Sequence, residues 1–155
     1  MITHLSKKNK PQIIDISKKN TTNRSATAQG LIKFSKKTFK KIEKMQTKKG
    51  EITNVAILAG IMGAKKTSEL IPLCHNIDIE NIDIKITTNK EFSCLVVNAS
   101  VKSKSKTGVE MEALTAVSIC CLTIYDMCKS LEKNIIISKI KLISKKGGKS
   151  DYLYD

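Results

Sequence analysis

From Asn76 to Thr88, and again from Leu95 to Val101, apolar side chains recur at every second residue. That period belongs to extended chain with one buried face and excludes a single helix over the stretch. Leu95, Val97, Ala99 and Val101 keep strict phase, whereas Ile77/Ile79 and Ile82/Ile84/Ile86 are out of step with each other. The slip at Glu80–Asn81 predicts a bulge or bend inside one strand. Asn89 to Glu91 then supplies the turn of a hairpin. A hairpin alone is only marginally stable in water, so other elements must cover its apolar face.

The covering elements lie on both sides in sequence. A helix is expected from Thr53 to about Ile71, where Pro72 stops it. Val55–Ala64 is apolar on nearly all sides, which predicts burial over the first half of that helix. A second long helix is expected over Met111–Glu132, followed by a strand at Ile135–Ile143. Upstream, Ser35 is placed to cap a helix running to about Lys48, with a narrow stripe of Phe39, Ile42 and Met45 and with Gly50 as its end. Thr27–Phe34 reads as a strand, Gln12–Ser17 as a shorter one, and Ser17–Ser25 as a loop. Without the short N-terminal strand the order is βαββαβ. It predicts an α+β, ferredoxin-like sandwich with an antiparallel sheet and helices packed on one face.

The chain has 155 residues, enough for one core, and we expect one domain over residues 11–155 behind a polar tail at 1–10. No apolar run nears the roughly 18–20 residues of a membrane span, and Met1–Lys10 lacks the apolar stretch of a signal peptide. Five cysteines without framework spacing fit reduced thiols and a cytoplasmic setting. The net charge is +14, and residues 1–50 carry 14 Lys/Arg against only Asp15 and Glu43. A basic third suggests an anionic partner, yet Arg24 is the only arginine and lysine-rich composition also follows from an A/T-rich genome. RNA-binding sheets of this shape need aromatic platforms, and only Phe92 lies near a predicted strand pair, which argues against nucleic acid.

Polar groups in apolar settings are the candidates for chemistry. Asp126 lies in the mostly apolar stretch Cys120–Cys128, with Lys129 three residues on and on the same helical face. The pair is either a structural ion pair or an acid/base pair. Glu110 and Glu112 fall at a helix start, where they offset the helix dipole. Leu73-Cys74-His75 follows the Pro72 break and puts His75 on a loop with rigid support. Metal-ligand spacing is lacking around Cys74-His75, and Cys121 and Cys128 read as small core residues. Lys145–Ser150 imitates the end of a phosphate-binding P-loop but lacks its first glycine and its helix, leaving a flexible lysine arm as the reading. Lys106-Thr107-Gly108 on its own is too short to signify. Fourteen residues separate Glu112 from Asp126, about 21 Å on a straight helix. A site using both needs a broken helix, an extended substrate or a second subunit.

Three groups of segments carry a resemblance. They are Ala64-Lys65-Lys66-Thr67 with Leu70-Ile71-Pro72-Leu73-Cys74-His75, Lys106–Ala116 with Leu122–Lys129, and Lys146-Gly147-Gly148-Lys149-Ser150. Together they resemble the cyclic pyranopterin monophosphate synthase (MoaC) family of molybdenum cofactor biosynthesis over residues 12–150. The resemblance implies a ferredoxin-like lyase that forms homohexamers, trimers of dimers, with sites at a subunit interface. Its substrate would be 3′,8-cyclo-7,8-dihydro-GTP, the product of a radical SAM GTP cyclase, and pyrophosphate would be released. Carried over by motif, Asp126, Lys129, Lys49 and His75 would be catalytic. Leu73, Cys74, His75, Glu110, Met111, Glu112, Lys145, Arg24 and Asp15 would bind substrate. No resident cofactor or metal is implied, and a magnesium requirement stays open, as does the choice between Lys145 and Lys146 for the phosphates. The chain departs from the family pattern at Asn76 (usually proline), at Lys66 (often arginine) and around Arg24.

Overall fold

The middle of the sheet is set by the strand with the smallest side chains. In the computed structural model, which describes residues 4, 6, 9–43 and 52–154, β1 (Thr22–Lys33) lies between β3 (Cys94–Ser105) and β4 (Ile136–Lys146). β2 (Asn81–Asn89) and β5 (Tyr152–Leu153) form the edges, giving the order β2-β3-β1-β4-β5 with every neighbour antiparallel. This is the expected α+β, ferredoxin-like arrangement. Alternate residues of β1 (Ala26, Ala28, Gly30 and Ile32) are buried. A side chain at Gly30 would run into Val117 and Cys121 of α4 (Glu110–Cys128), so the central strand lies close under that helix.

α4 is the core helix: Ala113, Ala116, Val117, Cys120, Cys121 and Ile124 are fully buried. By length and apolarity alone it could cross a bilayer, but over half of its apolar window is packed inside this fold. Cys120 and Cys121 act here as small apolar residues, and burial pushes both thiols up to about 12. α4 ends at Cys128, four residues earlier than the sequence pattern predicts, and passes into a turn over 129–131.

α1 (Lys36–Glu43) starts where the cap residue predicts. Thr38 N–H donates to Ser35 Oγ at 3.2 Å, and Ser35 N–H donates to Glu132 at 3.0 Å. The rest of the predicted helix, with Lys44–Gly50, lies outside the described residues. α2 (Ile52–Lys65) is not buried in the way its composition suggests. It turns its small residues Ala56, Gly60, Gly63 and Ala64 inward and leaves Val55, Leu58 and Met62 exposed, Leu58 at 60%. Close packing explains the choice, because Gly60 and Gly63 lie against Ala116 and Ile119 of α4, where larger side chains would not fit. The helix also breaks at Lys66, and α3 (Thr67–Leu70) completes the stretch before Pro72.

Four further expectations are corrected. Gln12–Ser17 is not a strand, for residues 12–16 run outside the sheet and direct Ile14 and Ile16 into a cleft described below. The phase slip at Glu80–Asn81 marks the start of β2 rather than a bulge within it: pairing with β3 is regular from Asn81, and residues 76–80 are not strand. β1 starts at Thr22, inside the predicted loop, because its polar first residues pair with Ser105 to Lys102 of β3. Lys145–Ser150 is no loose arm either. Gly147 turns with φ +85°, Thr22 Oγ1 donates to its carbonyl, its N–H donates to Asp151, and β5 folds back onto Ser144 and Lys145. A Cβ at Gly147 would also overlap the Asn23 carbonyl, so the turn requires glycine twice over.

Candidate active site

Two clefts meet at the N-terminal end of α4. The larger, of about 480 Å³, is enclosed by the start of β1, the link between β3 and α4, and the Lys145–Ser150 turn. The pairing of β1 with both β3 and β4 brings these distant segments together. Among the described residues Lys19, Arg24, Lys106, Lys145, Lys146 and Lys149 line this cleft, against a single carboxylate, Glu110. Arg24 is held in place by hydrogen bonds from Nε to the Ser105 carbonyl and from Nη2 to the Lys106 carbonyl. Lys145 Nζ pairs with Glu110 at 3.2 Å, and Lys106 Nζ donates to the Ser17 carbonyl at 2.9 Å. Six cations around one opening form a site for a polyanion.

The second cleft, of about 300 Å³, shares Lys19, Thr107, Gly108 and Glu110 with the first. Its walls are apolar, with Ile14, Ile16, Leu73, Ile77 and Met111. His4, Cys74, His75 and Glu112 supply its other titratable groups. His75 Nε2–H donates to the Ile14 carbonyl at 2.7 Å, which in the neutral ring makes Nδ1 the acceptor. Glu112 is only 3% exposed, and its Oε2 is buried with no hydrogen-bond partner among the described residues. Burial raises its carboxyl to about 6, the negative charge of Glu110 adds to the shift, and a backbone hydrogen bond opposes it. The thiol of Cys74 is likewise raised by burial and by Glu112. A carboxyl close to neutrality in an apolar pocket can hold or release a proton at physiological pH.

The sequence-derived candidates therefore divide. Arg24, Lys145 and Glu110 line the cationic cleft, and Leu73, Cys74, His75, Glu110, Met111 and Glu112 line the apolar one. Lys145 and Lys146 both reach the cationic cleft. Asp15 lines neither; its carboxylate accepts the Ser17 N–H at 2.8 Å, and that bond lowers its pKa. Asp126 and Lys129 also line neither cleft. They form an ion pair at 2.7 Å at the far end of α4, with side chains 61% and 56% exposed, and the bond to Asp126 raises the Lys129 pKa. α4 is unbroken from Glu110 to Cys128, so the separation of about 21 Å between Glu112 and Asp126 stands. Lys49 lies outside the described residues. Lys19 and Lys106 are cleft residues that sequence reasoning missed. Lys19 sits in a polar run with no pattern to single it out, whereas Lys106 opens the Lys106–Ala116 segment that carries the resemblance and could have been picked out from it.

Among the described residues no three His, Cys, Asp or Glu side chains converge as a metal site. Strands β1 to β4 carry no aromatic residue, and Tyr152 stands on the two-residue edge strand β5.

Comparison with known proteins bears on the same segments. The profile of the MoaC family matches residues 13–148. The chain is 49% identical over 151 residues to a cyclic pyranopterin monophosphate synthase of Peptoclostridium acidaminophilum, covering 97% of this chain and 95% of that protein. A protein of the same name from Heliobacterium modesticaldum is 46% identical over the same shares. A third, from Helicobacter pylori strain G27, is 50% identical over 153 residues, covering 98% of this chain and 97% of that protein. The match takes in most of both clefts and the whole of α4, and the chain belongs to the MoaC family.

Proposed function

We propose that this protein is a cyclic pyranopterin monophosphate synthase of molybdenum cofactor biosynthesis. It would be a lyase converting 3′,8-cyclo-7,8-dihydro-GTP to cyclic pyranopterin monophosphate with release of pyrophosphate. The observation that carries this reading is the junction of a six-cation cleft with an apolar cleft holding a buried acid. A nucleoside triphosphate derivative has that shape and polarity: a polyanion at one end and a largely flat heterocycle at the other.

On this reading the triphosphate lies among Lys19, Arg24, Lys106 and Lys145, which neutralise the charge that builds on departing pyrophosphate. The heterocycle lies against Leu73, Ile77 and Met111, within reach of Glu112 and His75. Those two groups suit the proton transfers that opening and re-closing the rings require.

Asp126 and Lys129 enter the site from a second copy of the chain. The outer faces of the helices support this assembly: Leu122, one turn before Asp126, is exposed, as are Val55, Leu58 and Met62 on α2. Such an apolar surface fits subunit contact. A homohexamer of three such dimers, acting in the cytoplasm, completes the proposal. The test is to supply purified protein with freshly made 3′,8-cyclo-7,8-dihydro-GTP, first without added metal and then with magnesium. Pyrophosphate release and the pterin product are followed by mass spectrometry. Absence of both from a folded oligomer under either condition would refute the assignment.

A further inference from the structure

Among the described residues Glu110 is the single carboxylate in the cationic cleft, and it also lines the apolar one. Its Oε1 lies 3.2 Å from Lys145 Nζ, and both side chains are about one-third exposed. The carboxylate folds back over residue 108, where a Cβ would overlap it, so glycine there leaves the room it occupies. A carboxylate among six cations cannot help to bind a phosphate, since it repels the ligand and occupies one of the ligand's partners. Its position at the first turn of α4 accounts for a favourable dipole contact but not for its pairing with a cleft lysine.

We propose that Glu110 is a placeholder anion. It holds Lys145 extended into the cleft until a phosphate displaces it, and it re-forms the pair as pyrophosphate leaves. The inference rests on the triphosphate reading of the cationic cleft and adds a role that a simple substrate contact would not have. The exchange has two consequences. A monophosphate gains too little elsewhere to displace Glu110, whereas a pyrophosphate or triphosphate engages several cations at once and does displace it. The returning carboxylate also speeds loss of the product, a step that limits turnover in many enzymes.

The test is calorimetric titration of the full-length oligomer with pyrophosphate and, separately, with inorganic phosphate. The proteins are wild type, Glu110→Gln, Lys145→Gln and the double variant. Glu110→Gln is expected to bind pyrophosphate about fivefold more tightly, as suits loss of a part-exposed competing ion pair. It should also narrow the preference for pyrophosphate over phosphate. The gain should vanish in the Lys145→Gln background, because the carboxylate acts through that lysine. In turnover, KM and kcat should fall together as product lingers. A purely structural role predicts lower thermal stability and no gain in affinity. Unchanged or weaker pyrophosphate binding by Glu110→Gln would overturn the proposal, as would an equal gain with Lys145 removed. If Glu110→Gln does not fold, Glu110→Asp draws the charge back from Lys145 and should give a smaller gain of the same sign. Wild-type protein that neither binds pyrophosphate nor turns over substrate would instead fail the triphosphate reading itself.

Discussion

Glu112→Gln is expected to make the protein more stable at alkaline pH while impairing it as an enzyme. The side chain is almost wholly buried and its Oε2 has no hydrogen-bond partner among the described residues. Its carboxyl is raised from 4.5 to about 6, chiefly by burial. Below pH 4.5 the folded and unfolded chains both carry the proton, and nothing is lost. As pH rises from 4.5 to 6 the unfolded chain gives up its proton first, so the folded state binds more protons and stability declines. Above pH 6 the loss is complete, at about 2 kcal/mol for a shift of this size. Glutamine has no charge to bury, so the variant escapes the loss. At pH 3.5 the two proteins compare a neutral acid with a neutral amide, and any difference in Tm there is the packing baseline. At pH 8 the variant should gain about 4–8 °C relative to that baseline, taking ~2–4 °C per kcal/mol for a chain of this size. Thermal unfolding of both proteins at the two pH values measures it. A difference in Tm that does not change with pH, or one that moves against the variant at pH 8, would refute the reasoning. The second result would mean that a cation meets the carboxylate in the folded state. Turnover should fall in the variant at every pH, a trade of function for stability common at strained sites.

Other predictions follow from the same geometry. Gly147→Ala places a Cβ in a left-handed turn and against the Asn23 carbonyl, at an expected cost of about 1–2 kcal/mol from the backbone alone. Because that turn carries the lysines of the cationic cleft, KM should rise more than kcat falls, read from steady-state rates beside a Tm. Asp126→Asn alters an exposed group, so stability should change by less than about 0.5 kcal/mol while turnover drops severely. Near-normal turnover would remove Asp126 from the mechanism. If two-fold-related subunits exchange residues, an equal mixture of Glu112→Ala and Asp126→Ala proteins should recover about a quarter of wild-type activity. Half the dimers would then be mixed, each with one intact site of two. No recovery despite mass-spectrometric proof of exchange would rule out shared sites.

Periodicity carried the sheet and the core helix because burial there depends on one face alone. Leu95, Val97, Ala99 and Val101 alternate in sequence and are buried in β3. Where a choice of face depends on fit, composition misleads. α2 is apolar all round, and only the nearness of α4 decides that Gly60 and Gly63 turn inward and Leu58 outward. The apparent bulge at Glu80–Asn81 shows the same limit, since alternation persists in extended chain that has not yet joined a sheet. The candidate site was legible where motifs are continuous, as with Cys74-His75 and Glu110–Glu112. Lys19 and Lys106 lie just outside the paired ends of β1 and β3, which bring them to it, and no local pattern reports that Lys19 of a basic chain will face a cleft. Asp126 is a case of its own. Its pairing with Lys129 was foreseen from spacing, but its distance from both clefts follows only from the helix being continuous.

The central place of β1 also governs how the site comes into being. The cationic cleft takes its residues from 19–25, 106–110 and 145–150, segments joined only when β1 has paired on both sides. Contacts so distant along the chain form slowly, because long loops must close before any contact rewards them. A fragment lacking β4 has no such cleft, however well its hairpin and α4 fold. On the proposed reading, a polyphosphate would therefore bind only the completed sheet and stabilise it by mass action. During refolding, recovery of anion binding should be the last signal to return.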